Sequence, residues 1–161
     1  PTGAVVPEWY VFEFPDWVNV IARTREGLFV MISQYRHALG ETRYELVAGT
    51  CEQGETPLES AQRELLEEAG YGGGSWRQYM VPSPTPTSHT NHVYTFLAEG
   101  VERVAEQHTE AGEDIRVYLM TEAEVRELLD GDEIMQCLHA APLWRWMAEY
   151  GRREEHKGTI G

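Results

Sequence analysis

The stretch Gly49-Thr50-Cys51-Glu52-Gln53-Gly54-Glu55-Thr56-Pro57-Leu58-Glu59-Ser60-Ala61-Gln62-Arg63-Glu64-Leu65-Leu66-Glu67-Glu68-Ala69-Gly70-Tyr71 decides how the rest of the chain is read. Thr56 and Glu59 have the spacing of a capping box, and Pro57 stands at the first helical position, where its missing N–H costs nothing. A helix therefore starts at about Pro57. Leu58, Ala61, Leu65 and Ala69 recur at intervals of three and four, which gives it an apolar stripe, and Gly70 is placed to end it in a left-handed cap. Glu64, Glu67 and Glu68 fall within about 100° of arc on a different face. Three like charges this close repel and destabilise the helix unless a cation neutralises them. Hard oxygen donors of this kind suit Mg²⁺, with Mn²⁺ as a substitute. Arg63 and Glu55 can brace the array by pairing across the loop and helix. A Glu-rich helix face is ordinarily just solvated, so the spacing of the whole stretch has to decide.

Working outward, residues 17–22 and 28–35 are β-branched and aromatic runs around Arg23-Thr24-Arg25-Glu26-Gly27 and read as a hairpin. Trp9 to Phe14 alternates like a strand and stops at Pro15. Glu45 to Ala48 is a short strand leading into Gly49. Beyond the helix, Trp76 to Val81, His92 to Ala98 and Ile115 to Met120 read as strands, and Pro82 to Asn91 as a loop. Thr121 and Glu124 form a second capping box, opening a helix to about Leu129. Ile134 to Tyr150 is a last helix with Pro142 as a break or kink. The expectation is one domain over residues 1–161, ordered from about 9 to 150, with a frayed charged tail at 152–161.

From Gly49 to Tyr71 the chain resembles the Nudix hydrolase family, whose box G-x5-E-x7-R-E-U-x-E-E-x-G-U it matches at every specified position. The resemblance implies an α/β fold, a three-layer α/β/α sandwich with a mixed β-sheet. It also implies hydrolysis of a nucleoside diphosphate linked to another group, by attack of water on a phosphorus of the pyrophosphate. Carried over by position, Glu64, Glu67 and Glu68 become catalytic metal ligands and the Ala48 carbonyl an extra ligand. Gly49, Glu55, Arg63 and Gly70 become structural supports of the box. Divalent ions would neutralise the pyrophosphate oxygens and lower the pKa of the attacking water, so no nucleophilic side chain is required.

Gln34-Tyr35-Arg36, Glu45-Leu46-Val47-Ala48-Gly49, Ser83-Pro84 and Glu113-Asp114-Ile115-Arg116-Val117 are similar to the branch acting on ADP-ribose and related nucleoside diphosphate sugars. That likeness assigns Arg36, Glu45 and Pro84 to substrate binding, Arg36 as a planar donor to phosphate. It also puts a catalytic base on the loop after His108, with Glu110 and Glu113 as alternatives. Members of the branch are often homodimers that exchange an N-terminal sheet; here only a short segment precedes Gly49. If Trp9 to Phe14 still reaches a partner, Trp9 or Trp17 could stack on adenine, although such aromatics are more often core or interface. His37, His89 and His92 lie near these motifs without a ligand spacing. Trp144, Trp146 and Met147 read as core. A nucleoside triphosphate is the rival substrate, and a non-catalytic nucleotide-sugar sensor the rival class.

Composition narrows the partners. A formal net charge of −14 argues against a long polyanion such as DNA, whose binders present basic patches, and leaves a small anion carried by a few cations. No apolar run is long enough for a membrane span, and no basic-then-apolar segment opens the chain. Cys51 and Cys137 lack any paired or zinc-binding pattern and read as reduced thiols of a cytoplasmic protein.

Overall fold

The computed structural model describes residues 3–108 and 114–151. Its elements run β1 (Trp17–Thr24), β2 (Phe29–Arg36), β3 (Glu41–Thr50), α1 (Pro57–Ala69), β4 (Tyr71–Gly72), β5 (Ser75–Met80), β6 (Val93–Arg103), β7 (Arg116–Met120), α2 (Glu122–Asp130) and α3 (Cys137–Tyr150). Strand order is β4-β6-β1-β3-β2-β7, with β5 also on β6. β1 and β6 run parallel, and the other pairings are antiparallel. The sheet is thus mixed and covered on both faces, so its strands read as nearly continuous apolar runs rather than clean alternations. On one face Val18, Val20, Val30, Ile32, Val47 and Phe96 pack with Ala61, Leu65 and Ala69 of α1. On the other, Ile21, Phe29, Met31, Leu46 and Leu97 pack with Val125 and Leu129 of α2 and Leu143, Trp146 and Met147 of α3. This is the three-layer α/β/α sandwich.

Several elements differ from their sequence reading. Trp9 to Phe14 is not a strand of the sheet. It lies extended along the 82–91 loop, with one bridge from Phe12 to His89, and exposes Trp9, Tyr10, Phe12 and Phe14. Alternation alone cannot make a strand without a partner edge. The hairpin strand β3 is longer than Glu45 to Ala48, because β2 supplies partners back to Glu41. Leu58 is 38% exposed; the buried position nearby is Ser60, whose hydroxyl donates to Glu55 Oε2 at 2.6 Å. Trp144 is likewise 40% exposed, whereas Trp146 and Met147 are core.

Pro142 sits inside α3 without ending it. A proline there withdraws the hydrogen bond owed to the carbonyl four residues earlier. That carbonyl, on Leu138, accepts from Asn19 Nδ2 at 2.7 Å. Asn19 is fully buried in the middle of β1, so a polar residue in a core strand meets the vacancy that Pro142 creates, and α3 is tied to the sheet. Next to it, His139 is also fully buried. Burial, and then the charge of Arg36, push its pKa down to about 3, so the imidazole is neutral at 3.6 Å from Glu45 Oε2.

Asn19→Asp keeps the side-chain size but turns the donor toward Leu138 into a buried carboxylate facing a carbonyl. The expected loss is at least about 3 kcal/mol, read as a lower urea midpoint at pH 7. An unchanged midpoint would remove this bond from the account of how α3 is held.

Candidate active site

The capping box forms as the sequence dictates. Thr56 Oγ1 accepts from the Glu59 N–H, and the Glu59 carboxylate accepts from the Thr56 N–H. At the other end Gly70 adopts φ +73°. A Cβ at Gly70 would also overlap the Ala105 carbonyl oxygen, so glycine is required twice over. The Gly70 carbonyl accepts from Val104 and Ala105, and the Glu67 carbonyl from the His108 N–H at 2.8 Å. The segment after β6 is thereby bound to the end of α1.

Ala48, Gly49 and Thr50 of β3 and Glu64, Glu67 and Glu68 of α1 line one cleft of about 510 Å³, together with Trp17, Glu52, Arg63 and His108. Glu68 is 7% exposed, and its Oε2 accepts from the Ala48 N–H at 3.1 Å. Arg63 is the hub of the remainder. Its Nη1 donates to Glu64 Oε1 at 2.8 Å and Glu67 Oε2 at 3.0 Å, its Nε and Nη2 grip Glu55 at 2.9 and 3.1 Å, and Nη2 also reaches the Thr50 carbonyl. The paired guanidinium and the Ser60 hydroxyl hold the Glu55 carboxyl far below the usual range, at about 2. The same carboxylates raise the Arg63 pKa.

Among the described residues no three His, Cys, Asp or Glu side chains converge on a single point able to hold an ion; Arg63 bridges two of the three helix carboxylates instead. The donor chemistry nonetheless fits a hard divalent cation, since Glu68 and Glu64 bring carboxylate oxygens to the backbone of Ala48 and Gly49 and Glu67 lines the same cleft. Gly49 is part of that fit: a Cβ there would overlap Glu64 Oε1 and Oε2. Only glycine lets the carboxylate lie against this strand.

The remaining sequence candidates lie elsewhere. Arg36 Nε donates to Glu45 Oε1 at 2.7 Å, and Arg36 Nη2 contacts Glu45 Oε2, making a bidentate pair. Glu45 is 2% exposed and lines neither cleft described here. Pro84 and His89 line a second pocket of about 310 Å³, which shares Trp17 and Thr50 with the first. His37 and His92 line neither. Glu110 and Glu113 lie outside the described residues. Glu52 and His108 join the acidic cleft without having been singled out. Glu52 falls within an unspecified stretch of the box, and His108 is brought there by the tie between the segment after β6 and α1, which local sequence does not record.

A Nudix domain model matches residues 14–140. The ADP-ribose pyrophosphatase of Bacillus subtilis (strain 168) is 33% identical over 126 residues, covering 77% of this chain and 68% of the relative. That of Mycobacterium tuberculosis is 32% identical over 136 residues, covering 82% and 65%. The chain thus spans about two thirds of the length of these relatives. A solved structure titled as an ADP compounds hydrolase superposes with a TM-score of 0.70 over 86% of this chain and 75% of that one, at 19% identity, and so speaks for the fold. The chain belongs to the Nudix domain family. Within it the protein is a pyrophosphohydrolase, an enzyme.

Because the Glu55 carboxyl drops from an ordinary 4.5 to about 2, the clamp contributes in full above pH 4.5 and is lost as pH falls toward 2. Thermal unfolding of Glu55→Gln should therefore depend less steeply on pH across that window than wild type. Parallel profiles would show that the clamp does not stabilise the fold. Independently, Gly49→Ala should displace Glu64 and lower turnover by about tenfold or more in a steady-state assay, with the circular dichroism spectrum retained.

Proposed function

We propose that the protein hydrolyses the pyrophosphate bond of ADP-ribose or a related nucleoside diphosphate sugar with Mg²⁺, or Mn²⁺ in its place, releasing a nucleoside monophosphate and a sugar phosphate. The observation carrying this reading is the acidic cleft, in which Glu64, Glu67 and Glu68 meet Ala48 and Gly49 under the hold of Arg63. The two ADP-ribose pyrophosphatases among the relatives favour the substrate. In this reading Glu64, Glu67, Glu68 and the Ala48 carbonyl hold the metal. Bound there, the ion supplies Lewis acidity toward the pyrophosphate oxygens. Glu55 keeps Arg63 oriented, and Arg63 in turn sets the rotamers of Glu64 and Glu67.

Arg36, whose side chain is 37% exposed, binds a substrate phosphate, while Glu45 fixes the plane of the guanidinium. Pro84 shapes the substrate loop, and Glu110 or Glu113 accepts the proton of the attacking water. The active unit is one domain, and it works as a homodimer through the exposed aromatic arm at Trp9, Tyr10 and Phe12. A cytoplasmic site is favoured by the free thiols of Cys51 and Cys137. No helix among the described residues is long and apolar enough to cross a membrane.

Chromatography of products from a panel of ADP-ribose, other nucleotide sugars, dinucleotides and nucleoside triphosphates tests the substrate. AMP and ribose 5-phosphate are expected from ADP-ribose with Mg²⁺, and none after chelation. Glu67→Gln should cut kcat by about 100-fold, because this carboxylate is 43% exposed to the cleft and contributes little to the core. Turnover of triphosphates alone would overturn the substrate, and wild-type kcat in the variant would overturn the metal site.

A further inference from the structure

His139 is the only buried histidine among the described residues. It stands in the first turn of α3, and neither of its ring nitrogens has a hydrogen-bond partner among those residues. Two orphaned polar atoms in a core cost more than an apolar side chain of the same size would, so packing alone does not account for a histidine here. The edge contact with Trp17 at 5.3 Å would be made equally well by a phenylalanine. What a phenylalanine would lack is Nε2, which lies 3.6 Å from Glu45 Oε2, just beyond hydrogen-bonding range.

Glu45 is 2% exposed, and Arg36 grips both of its oxygens, Nε on Oε1 at 2.7 Å and Nη2 on Oε2. A carboxylate has about four acceptor positions, so this bidentate pair leaves Glu45 able to take a further donor. A carboxylate held by one long, part-exposed side chain turns with that side chain. His139 offers a fixed point instead, because the residue before it, Leu138, is bonded through its carbonyl to Asn19 of β1 at 2.7 Å. Burial and the charge of Arg36 keep the imidazole neutral. It therefore brings one N–H and no second cation to compete for Glu45. Functional hydrogen bonds of this kind are often long without substrate and shorten when it binds.

We propose that His139 is a positioning residue for phosphate binding: its Nε2–H anchors the Glu45 carboxylate from α3, and Glu45 in turn holds the Arg36 guanidinium in the plane that receives a substrate phosphate. The inference rests on the reading of Arg36 as a phosphate-binding residue for a nucleoside diphosphate derivative.

Two variants separate the nitrogen from the ring. His139→Phe keeps a ring against Trp17 and loses the donor, whereas His139→Gln loses the ring and keeps an N–H near the place of Nε2. In steady-state kinetics on ADP-ribose with Mg²⁺, His139→Phe should raise KM about tenfold with kcat unchanged, and His139→Gln should recover most of that loss. The urea midpoint of His139→Phe should hold or rise, because two orphaned polar atoms leave the core. KM values that follow the midpoints rather than the presence of the N–H would overturn the positioning role. In an Arg36→Ala background His139→Phe should raise KM no further; an additive rise would show that His139 acts elsewhere. An unchanged KM in His139→Phe would overturn the role and leave the proposed activity standing. If the wild type does not cleave ADP-ribose, the activity falls, and the ¹⁵N–¹H resonance of Arg36 Nε, identified by its loss in Arg36→Ala, decides the role. A resonance displaced in His139→Phe and restored in His139→Gln keeps it, and one that does not move overturns it.

Discussion

Three carboxylates on one face of a helix are an electrostatic load, and the guanidinium of Arg63 is what makes that load tolerable in the folded chain. It donates to Glu64 and Glu67 from one nitrogen and to Glu55 from the other two, so one cation offsets repulsion among side chains that the helix and the loop before it hold close. The arrangement has consequences in both directions. Glu55, itself steadied by Ser60, ties the loop before α1 to the helix. Through the Thr50 carbonyl the same guanidinium reaches the end of β3, whose backbone at Ala48 and Gly49 forms the floor against which Glu68 and Glu64 lie. Loop, helix and strand are therefore positioned by the residue that neutralises them.

The parts of this design that are local in sequence were legible from it. A capping box, a proline at the first helical position and a glycine in a left-handed cap each depend on neighbours within four residues, and α1 follows them from Pro57 to Ala69. The second capping box placed α2 in the same way. Legibility failed where the deciding partner is distant. The Trp9 to Phe14 run has the alternation of a strand but, among the described residues, pairs only through the single bridge from Phe12 to His89. Pro142 reads as a helix breaker, yet its cost is met by an asparagine more than a hundred residues earlier. His108 enters the site because its N–H finds the Glu67 carbonyl, a contact that no spacing within the 104–108 segment encodes.

Buried polar groups recur along the line where α3 meets the sheet. Asn19, Thr95 and His139 are fully buried, and Asn19 and Thr95 are register partners on β1 and β6. Of their side chains only that of Asn19 has a hydrogen-bond partner among the described residues, and desolvation offsets most of what that bond returns, so such groups contribute little to stability compared with apolar packing. What they do supply is a defined position. Asn19 satisfies only one helix carbonyl, and His139 occupies the space beneath Trp17 beside the Arg36–Glu45 pair. The Asn19–Leu138 bond fixes the register of α3 against β1 at one defined point, which apolar contacts alone do not specify.

That rigidity bears on how a strongly acidic protein handles an anionic substrate. With a formal net charge of −14 and four glutamates in one cleft, the polypeptide repels a pyrophosphate until cations intervene, and Arg63 is already engaged by its own carboxylates. On the proposed function, attraction of the phosphates would fall to metal held by the helix carboxylates and to Arg36, both of which distinguish poorly among diphosphates, since each presents the same oxygens. Discrimination has to arise away from the charge, where stacking and hydrogen bonding respond to the shape of the attached group. On the proposed function, the metal site would determine which bond breaks, and the surfaces beside it whose bond it is.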